Sequence, residues 1–228
     1  MRLLALDTST EACSAALLLG GEMRLRFTLT ERSHAELILP MIDSLLAEAA
    51  IAIDGLDAIA FGRGPGGFTG LRIAAGVAQG LAYGAGLPVA PVSSLAATAE
   101  QVPARAGERI VVCNDARMGE SYWAVFERAA DGSIAVLGPE RVDPPAAVAM
   151  GVAGLGHAAG NGLARFPELR DRWVTAGLQL HDGLYPRADA IARLGAIEIA
   201  AGRGVDAAQA LPVYVRDDVA RPGHATVT

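Results

Sequence analysis

Leu3-Leu4-Ala5-Leu6 reads as a short buried strand, and it ends abruptly at Asp7-Thr8-Ser9-Thr10. A second apolar run, residues 12–19, is broken by Gly20-Gly21. Leu25, Phe27 and Leu29 then alternate with Arg24, Arg26 and Thr28, the period of a half-exposed strand. Three strands joined by tight turns predict an antiparallel meander. Ser33-His34-Ala35-Glu36 is a capping-box pattern and opens a helix, with a kink expected at Pro40. A buried strand over 57–61, a glycine-rich loop from Gly62 to Gly70 and a helix over 71–83 come next. Gly84, Gly86 and Pro88 stop that helix, before a strand at 88–91 and a short helix opened by Ser93 or Ser94. The alternation of strand and helix signals places the chain in the α/β class.

Pro103 and Gly107 interrupt the pattern between Gln101 and Gly107, where a boundary is expected. Strands over 109–113 and 121–127 and a turn at Asp131-Gly132 are predicted beyond it. Residues 144–210, rich in Ala and Gly, read as mostly helical or irregular. No internal repeat is visible, although strand-rich starts followed by helices occur in both halves.

The 228 residues suffice for one large domain or two small ones, and 52% hydrophobic against 19% charged residues excludes a disordered chain. No apolar run reaches the roughly 18 residues that a membrane helix needs. The apolar start is interrupted by Asp7 and Glu11, so it reads as a strand rather than a signal peptide. Cys13 and Cys113 alone make no disulfide framework, and a reducing cytoplasm is the expected setting. All 19 basic residues are arginine. The absence of lysine excludes a P-loop lysine, a Schiff base and a lysine general base. A pI near 5.2 argues against independent nucleic-acid binding, so work on RNA would need a partner that supplies positive charge.

Chemistry-bearing residues are few. Asp7-Thr8-Ser9-Thr10 could orient a magnesium-bound phosphate or could be ordinary turn chemistry. Gly62-Arg63-Gly64-Pro65-Gly66-Gly67-Phe68-Thr69-Gly70 precedes a helix N-terminus, where free N–H groups favour anions, yet P-loop spacing is missing. A tight strand-to-helix connection explains it equally well. His34, His157, His181 and His224 include no short pair, and Ile38 stands where a zinc helix would place a second ligand. There is no G-x-S-x-G elbow, and neither cysteine has an activating partner in sequence.

The two long helices carry more apolar surface than one sheet can cover. On the first, Leu37, Ile38, Leu39, Met41, Ile42, Leu45, Leu46 and Ala49 sweep an arc of about 200° from His34. On the second, Leu71, Ala74, Ala78, Leu81, Ala82 and Ala85 form one face. Ile73, Gly76, Gly80, Tyr83 and Gly84 form the opposite, charge-free face. This second face could meet another protein or another internal element.

Leu4-Ala5-Leu6-Asp7-Thr8-Ser9-Thr10, Arg32-Ser33-His34-Ala35-Glu36-Leu37 with Pro40, and Gly64-Pro65-Gly66-Gly67-Phe68-Thr69-Gly70-Leu71-Arg72 together resemble the TsaB (YeaZ) family of bacterial tRNA threonylcarbamoyladenosine (t6A) formation. Asp115-Ala116-Arg117-Met118-Gly119-Glu120, Gly160-Asn161-Gly162, Tyr185-Pro186-Arg187-Ala188 and Pro212-Val213-Tyr214-Val215-Arg216 extend the likeness along the chain. Gly67 departs from it, since the family usually has serine there.

The resemblance implies a two-lobed actin/hexokinase/Hsp70-like (ASKHA) fold with mixed sheets flanked by helices, divided into residues 1–104 and 105–228. It implies a non-catalytic paralogue of TsaD, the subunit that transfers the threonylcarbamoyl group to N6 of adenosine 37 in ANN-decoding tRNAs. TsaD-like proteins carry an H-x-x-x-H metal pair, of which this chain keeps only His34. The TsaD-like partner is expected on the two helices, at His34, Leu37, Ile38, Met41 and Leu45 and at Ile73, Gly76, Gly80, Tyr83 and Gly84. Asp7, Thr8, Ser9 and Thr10 become a vestigial phosphate loop, with no cofactor or metal. A TsaE-like ATPase in the assembled complex, tRNA contact only through that complex, a homodimer when alone and no membrane association complete the expectation. Two alternatives stay open: an independent ATPase or kinase of the same superfamily using Asp7 and Gly160-Asn161-Gly162, and a glycoprotease-like metallopeptidase.

Overall fold

The computed structural model describes residues 1–30 and 32–216. Strands β1 (Arg2–Asp7), β2 (Ala12–Leu19) and β3 (Glu22–Leu29) form the expected meander. Helix α1 (His34–Ala49) follows, then β4 (Ala58–Gly64), α2 (Phe68–Ala85) and β5 (Val89–Ser93). The first sheet has the order β3-β2-β1-β4-β5, antiparallel in the meander and parallel across β1, β4 and β5. Helix α3 (Ser94–Glu100) is capped by Ser93, whose Oγ accepts the Ala96 N–H at 3.0 Å.

The second sheet contains β6 (Arg109–Asp115), β7 (Ser121–Arg128), β8 (Ile134–Val136), β9 (Arg141–Asp143), β10 (Leu155–Gly160) and β11 (Gln179–Asp182). Its order is β11-β10-β6-β7-β8, with β9 also on β7. Helices α4 (Gly162–Arg165) and α5 (Pro167–Thr175) lie between β10 and β11, and α6 (Ala188–Ala200) closes the helical set. This is the two-lobed ASKHA arrangement of mixed sheets flanked by helices that the resemblance implied.

The expected division at 104/105 falls in the connection between α3 and β6. Helix α6 nevertheless packs on the first sheet, where Ala188, Ala190, Ile191 and Ala192 join Leu3, Ala5, Ala60 and Ala90 in one buried cluster. The opposite face of that sheet is covered by α1 and α2, through Ile38, Ile42, Leu45, Ala74, Ala78 and Ala82 on Leu4, Leu6, Ile59 and Phe61.

Three local expectations are corrected. Ser33 is the residue before α1 but makes no side-chain cap, because its backbone (ψ 18°) leaves the extended region that aims a capping oxygen. The first turn closes through backbone instead, Glu36 N–H to Ser33 O at 3.1 Å. Helix α2 begins three residues before its predicted start, so Phe68-Thr69-Gly70 is helix rather than loop. Strands β10 and β11 lie in the region read as helical or irregular. Leu-Gly-His-Ala-Ala-Gly carries no β-branched residue, and it is strand because it sits parallel between β6 and β11.

Candidate functional site

The turn after β1 is sealed by its own residues. Asp7 is fully buried, and its Oδ1 accepts both the N–H and the Oγ–H of Ser9 at 2.9 Å. Ser94 Oγ donates to Oδ2 at 3.4 Å. These bonds favour the carboxylate, but burial outweighs them and pushes the carboxyl up to about 7. Thr8 Oγ1 donates to the Gly70 carbonyl at 2.7 Å, and Gly67 N–H donates to the Ser9 carbonyl at 2.7 Å. Thr10 Oγ1 accepts the Ala12 N–H at 3.2 Å.

The glycines of the following loop answer to this turn. A Cβ at Gly66 would overlap the Ser9 carbonyl oxygen, and one at Gly70 the Thr8 carbonyl oxygen. Their bareness lets two backbone segments touch. The Asp7–Thr10 turn is thus brought onto the N-terminus of α2, and part of what a phosphate would use is consumed internally.

Between the lobes lies a cleft of about 1000 Å³, lined by Thr8–Glu11, Arg32, the start of α2, Asp115–Arg117, Tyr122 and Val213–Arg216. On the far side Asp115 Oδ1 accepts the Arg117 N–H at 2.8 Å, and Arg117 and Arg165 flank its carboxylate at 3.4 and 3.9 Å. Asn161 of the Gly160-Asn161-Gly162 motif accepts the Asp115 N–H through Oδ1 at 3.0 Å, holding that turn. Gly162 rests on Cys113, whose Sγ a Cβ would meet at 2.6 Å. The neighbouring Asn114 is buried, and both its amide atoms are unpaired among the described residues.

His34 is buried, and its Nε2–H donates to the Thr10 carbonyl at 2.8 Å, tying α1 to the turn. His157 and His181, distant in sequence, meet across the parallel pair β10–β11. The Glu108 carboxylate accepts from His157 Nε2–H at 3.0 Å, which leaves Nδ1 to accept from His181 at 3.1 Å. Among the described residues no three His, Cys, Asp or Glu side chains gather as a metal site. His224 lies outside the described residues. Burial pushes the Cys13 and Cys113 thiols up to about 11 and about 12, the reverse of what a nucleophile needs.

The two helices divide the ten residues expected at a partner surface. Ile38 and Leu45 have no exposed area and face the first sheet, and His34 is committed to Thr10. Leu37, Met41 and Ile73 are half-buried against the same core, partly where α1 and α2 meet. Ile38 and Leu45 turn inward because α1 packs its apolar arc on the sheet, and the half-buried Leu37, Met41 and Ile73 rest on the edge of the same core. Gly76, Gly80, Tyr83 and Gly84 do face outward, and among the described residues a Cβ on any of the three glycines would meet nothing within 4 Å. Tyr83 is 85% exposed. Leu39, 46% exposed, faces outward on α1 but was not among the ten. Phe68 and Arg72 continue the outer row of α2 at i−4 spacing toward its N-terminus, and sequence reasoning missed Phe68 by placing it in the loop. No helix of the described residues is long and apolar enough to cross a membrane.

The family described as TsaD, tRNA N6-adenosine threonylcarbamoyltransferase, matches residues 28–178. The tRNA threonylcarbamoyladenosine biosynthesis protein TsaB of Escherichia coli strain K12 is 40% identical over 96% of each chain. TsaB of Haemophilus influenzae is 37% identical over 96% of this chain and 95% of its own. The solved structure titled YeaZ from Pseudomonas aeruginosa superposes with a TM-score of 0.82 at 42% identity, covering 93% of this chain and 99% of that one. With likeness of sequence and structure running through both lobes, the chain belongs to the TsaB (YeaZ) family.

Proposed function

We propose that the chain serves t6A formation as the non-catalytic subunit that docks on, and activates, a TsaD-like threonylcarbamoyltransferase. The observation that carries this reading is the outer face of α2. Gly76, Gly80 and Gly84 lie four apart with open space above each, beside an almost fully exposed Tyr83. Glycines at this spacing flatten a helix and let a second helix approach closely, and a tyrosine left in water is a frequent anchor of protein interfaces. The interface proposed is therefore Gly76, Gly80, Tyr83, Gly84 and Leu39, with the half-buried Leu37, Met41 and Ile73 supporting it from below.

The sealed Asp7 turn supports a non-catalytic role, because its carboxyl and its Ser9 carbonyl are both occupied within the lobe. In this reading Asp7–Thr10 is the vestige of a phosphate loop, and the independent ATPase, kinase and metallopeptidase alternatives recede. A TsaE-like ATPase joins the assembled complex, tRNA is met only through it, and the setting is the cytoplasm. The same face serves a homodimer when the catalytic subunit is absent.

Gly80→Leu tests the reading. The new side chain projects into open space, and leucine suits a helix interior by about 1 kcal/mol over glycine, so the thermal midpoint should hold or rise. Co-purification with the TsaD-like subunit and t6A formation by the mixture should be lost together. Normal binding by a stable Gly80→Leu chain would place the contact elsewhere.

A further inference from the structure

Residues 211–216 belong to no helix or strand, yet they touch both lobes and the end of the proposed docking face. Val213 N–H donates to the Arg63 carbonyl at 2.7 Å, fastening the segment to β4 of the first lobe. Gly64 makes room for this contact, since a Cβ there would stand 2.7 Å from the Val213 carbonyl oxygen. At the other end Arg216 pairs with Glu120 and donates to the Ala116 carbonyl at 3.3 Å, both in the β6–β7 turn of the second lobe.

Between these anchors Tyr214 lies on the first turns of α2. Its ring is 5.4 Å from that of Phe68, and its hydroxyl accepts from Arg72 Nε at 3.2 Å. The Arg72 guanidinium stacks 3.8 Å over Phe68. Phe68, Arg72, Gly76, Gly80 and Gly84 form one i, i+4 row, and Tyr214 extends it at the cleft end. Tyr214 remains 41% exposed and Phe68 44%, so the cluster presents open aromatic surface continuous with the glycine row.

We propose that the TsaD-like subunit seated on α2 also covers Tyr214, and that the strap thereby couples docking to the spacing of the two lobes. The inference rests on the docking reading above. A partner that holds Tyr214 holds Val213 on Arg63 and Arg216 on Glu120, and so fixes the cleft between the anchors. Tyr214 is a contact residue in this scheme. Glu120 is a positioning residue that acts from the far lobe without reaching the docking face.

The experiment measures the affinity of the TsaD-like subunit for four variants of the full chain, together with amide exchange at Val213. Tyr214→Ala should weaken binding about tenfold, and Tyr214→Phe, which keeps the stack, far less. Glu120→Gln should weaken it about fivefold although it lies outside the docking face. Partner binding should slow Val213 exchange in the parent chain and leave it unchanged in Tyr214→Ala. If Gly80→Leu abolishes binding while Tyr214→Ala and Glu120→Gln bind as the parent does, docking stands and the strap inference is overturned. An effect of Tyr214→Ala alone makes Tyr214 a plain contact and overturns the coupling. If all variants including Gly80→Leu bind normally, the docking reading itself falls and takes the inference with it.

Discussion

The turn that ends β1 and the turn that ends β6 are built alike and finished differently. Each strand closes on an aspartate paired in register with a serine, Asp7 with Ser14 and Asp115 with Ser121. Each aspartate accepts the N–H two residues on. Each strand also begins an antiparallel meander whose sheet is completed by two later parallel strands. The first turn is roofed by α2 and by serine hydroxyls, and among the described residues its carboxyl meets no guanidinium. The second is open: Arg117 and Met118 stand at φ 62° and 55°, left-handed for residues with side chains, and Met118 is 87% exposed. The helices explain the contrast. The crossover from β4 to β5 in the first lobe carries the 18-residue α2, whereas the matching crossover from β10 to β11 carries the 4-residue α4 and the 9-residue α5. A long helix both seals the turn below it and offers an outer face, so the proposed docking surface and the closed turn come from one element.

Acid should separate the lobes most clearly. The folded chain holds a proton on Asp7 up to about pH 7, whereas the unfolded carboxyl releases it near 3.8. Stability from this group is therefore complete below the unfolded value and lost as pH rises through the folded one. Asp7→Asn, neutral throughout, should shift the stability difference between variant and parent by about 4 kcal/mol in its own favour between pH ~4 and ~8. Equal pH slopes in denaturant titrations would contradict the buried, protonated state.

Gly70→Ala should come next, with a loss of about 3 kcal/mol, because the new methyl overlaps the Thr8 carbonyl and one backbone must move. An unchanged thermal midpoint would show that the turn yields. In the second lobe the acid response runs the other way. Burial and the neighbouring His157 lower the His181 pKa below its ordinary 6.5. That stability is present above the unfolded pKa and lost as pH falls through the folded one. His181→Gln should flatten the acidic limb while leaving the Asp7 limb intact, and loss of both limbs in one variant would merge the two lobes into one titrating unit. The smallest effect belongs to Gly67→Ser. Its Cβ would lie 3.6 Å from the Ser9 carbonyl oxygen, an ordinary contact, and a capping hydroxyl at the start of α2 should raise stability by a few tenths of a kcal/mol. A fall would show that the hydroxyl competes with the Gly67–Ser9 bond.

The meander, β4, β6 and β7 were legible because apolar runs bounded by glycine leave few alternatives. Gly66 and Gly70 were legible as a loop signal and misleading in extent, since Gly70 is bare for the sake of Thr8 and sits inside a helix. The arc of α1 announced more apolar surface than one sheet needs. Periodicity alone could not say that Ile38 and Leu45 face that sheet while Leu39 faces out. Strands β10 and β11 hold their form through parallel neighbours rather than through residue preference. The meeting of His157 with His181 depends on that pairing and left no trace in their spacing. Family membership was legible from the N-terminal motifs, and the relatives match it.

Helix α6 gives the chain an order of assembly on the ribosome. Gly195 stands where even a methyl would press on Ala60, and the face of the first sheet that it covers is a carpet of alanines: Ala5, Ala16, Ala60 and Ala90. That face cannot be covered until some two hundred residues have been translated, long after its own strands have emerged. During synthesis the second lobe, contiguous from β6 to β11, is complete before the first. A nascent chain therefore waits with its first sheet half-dressed, and a helix that emerges after the whole second sheet is the one that finishes the first lobe.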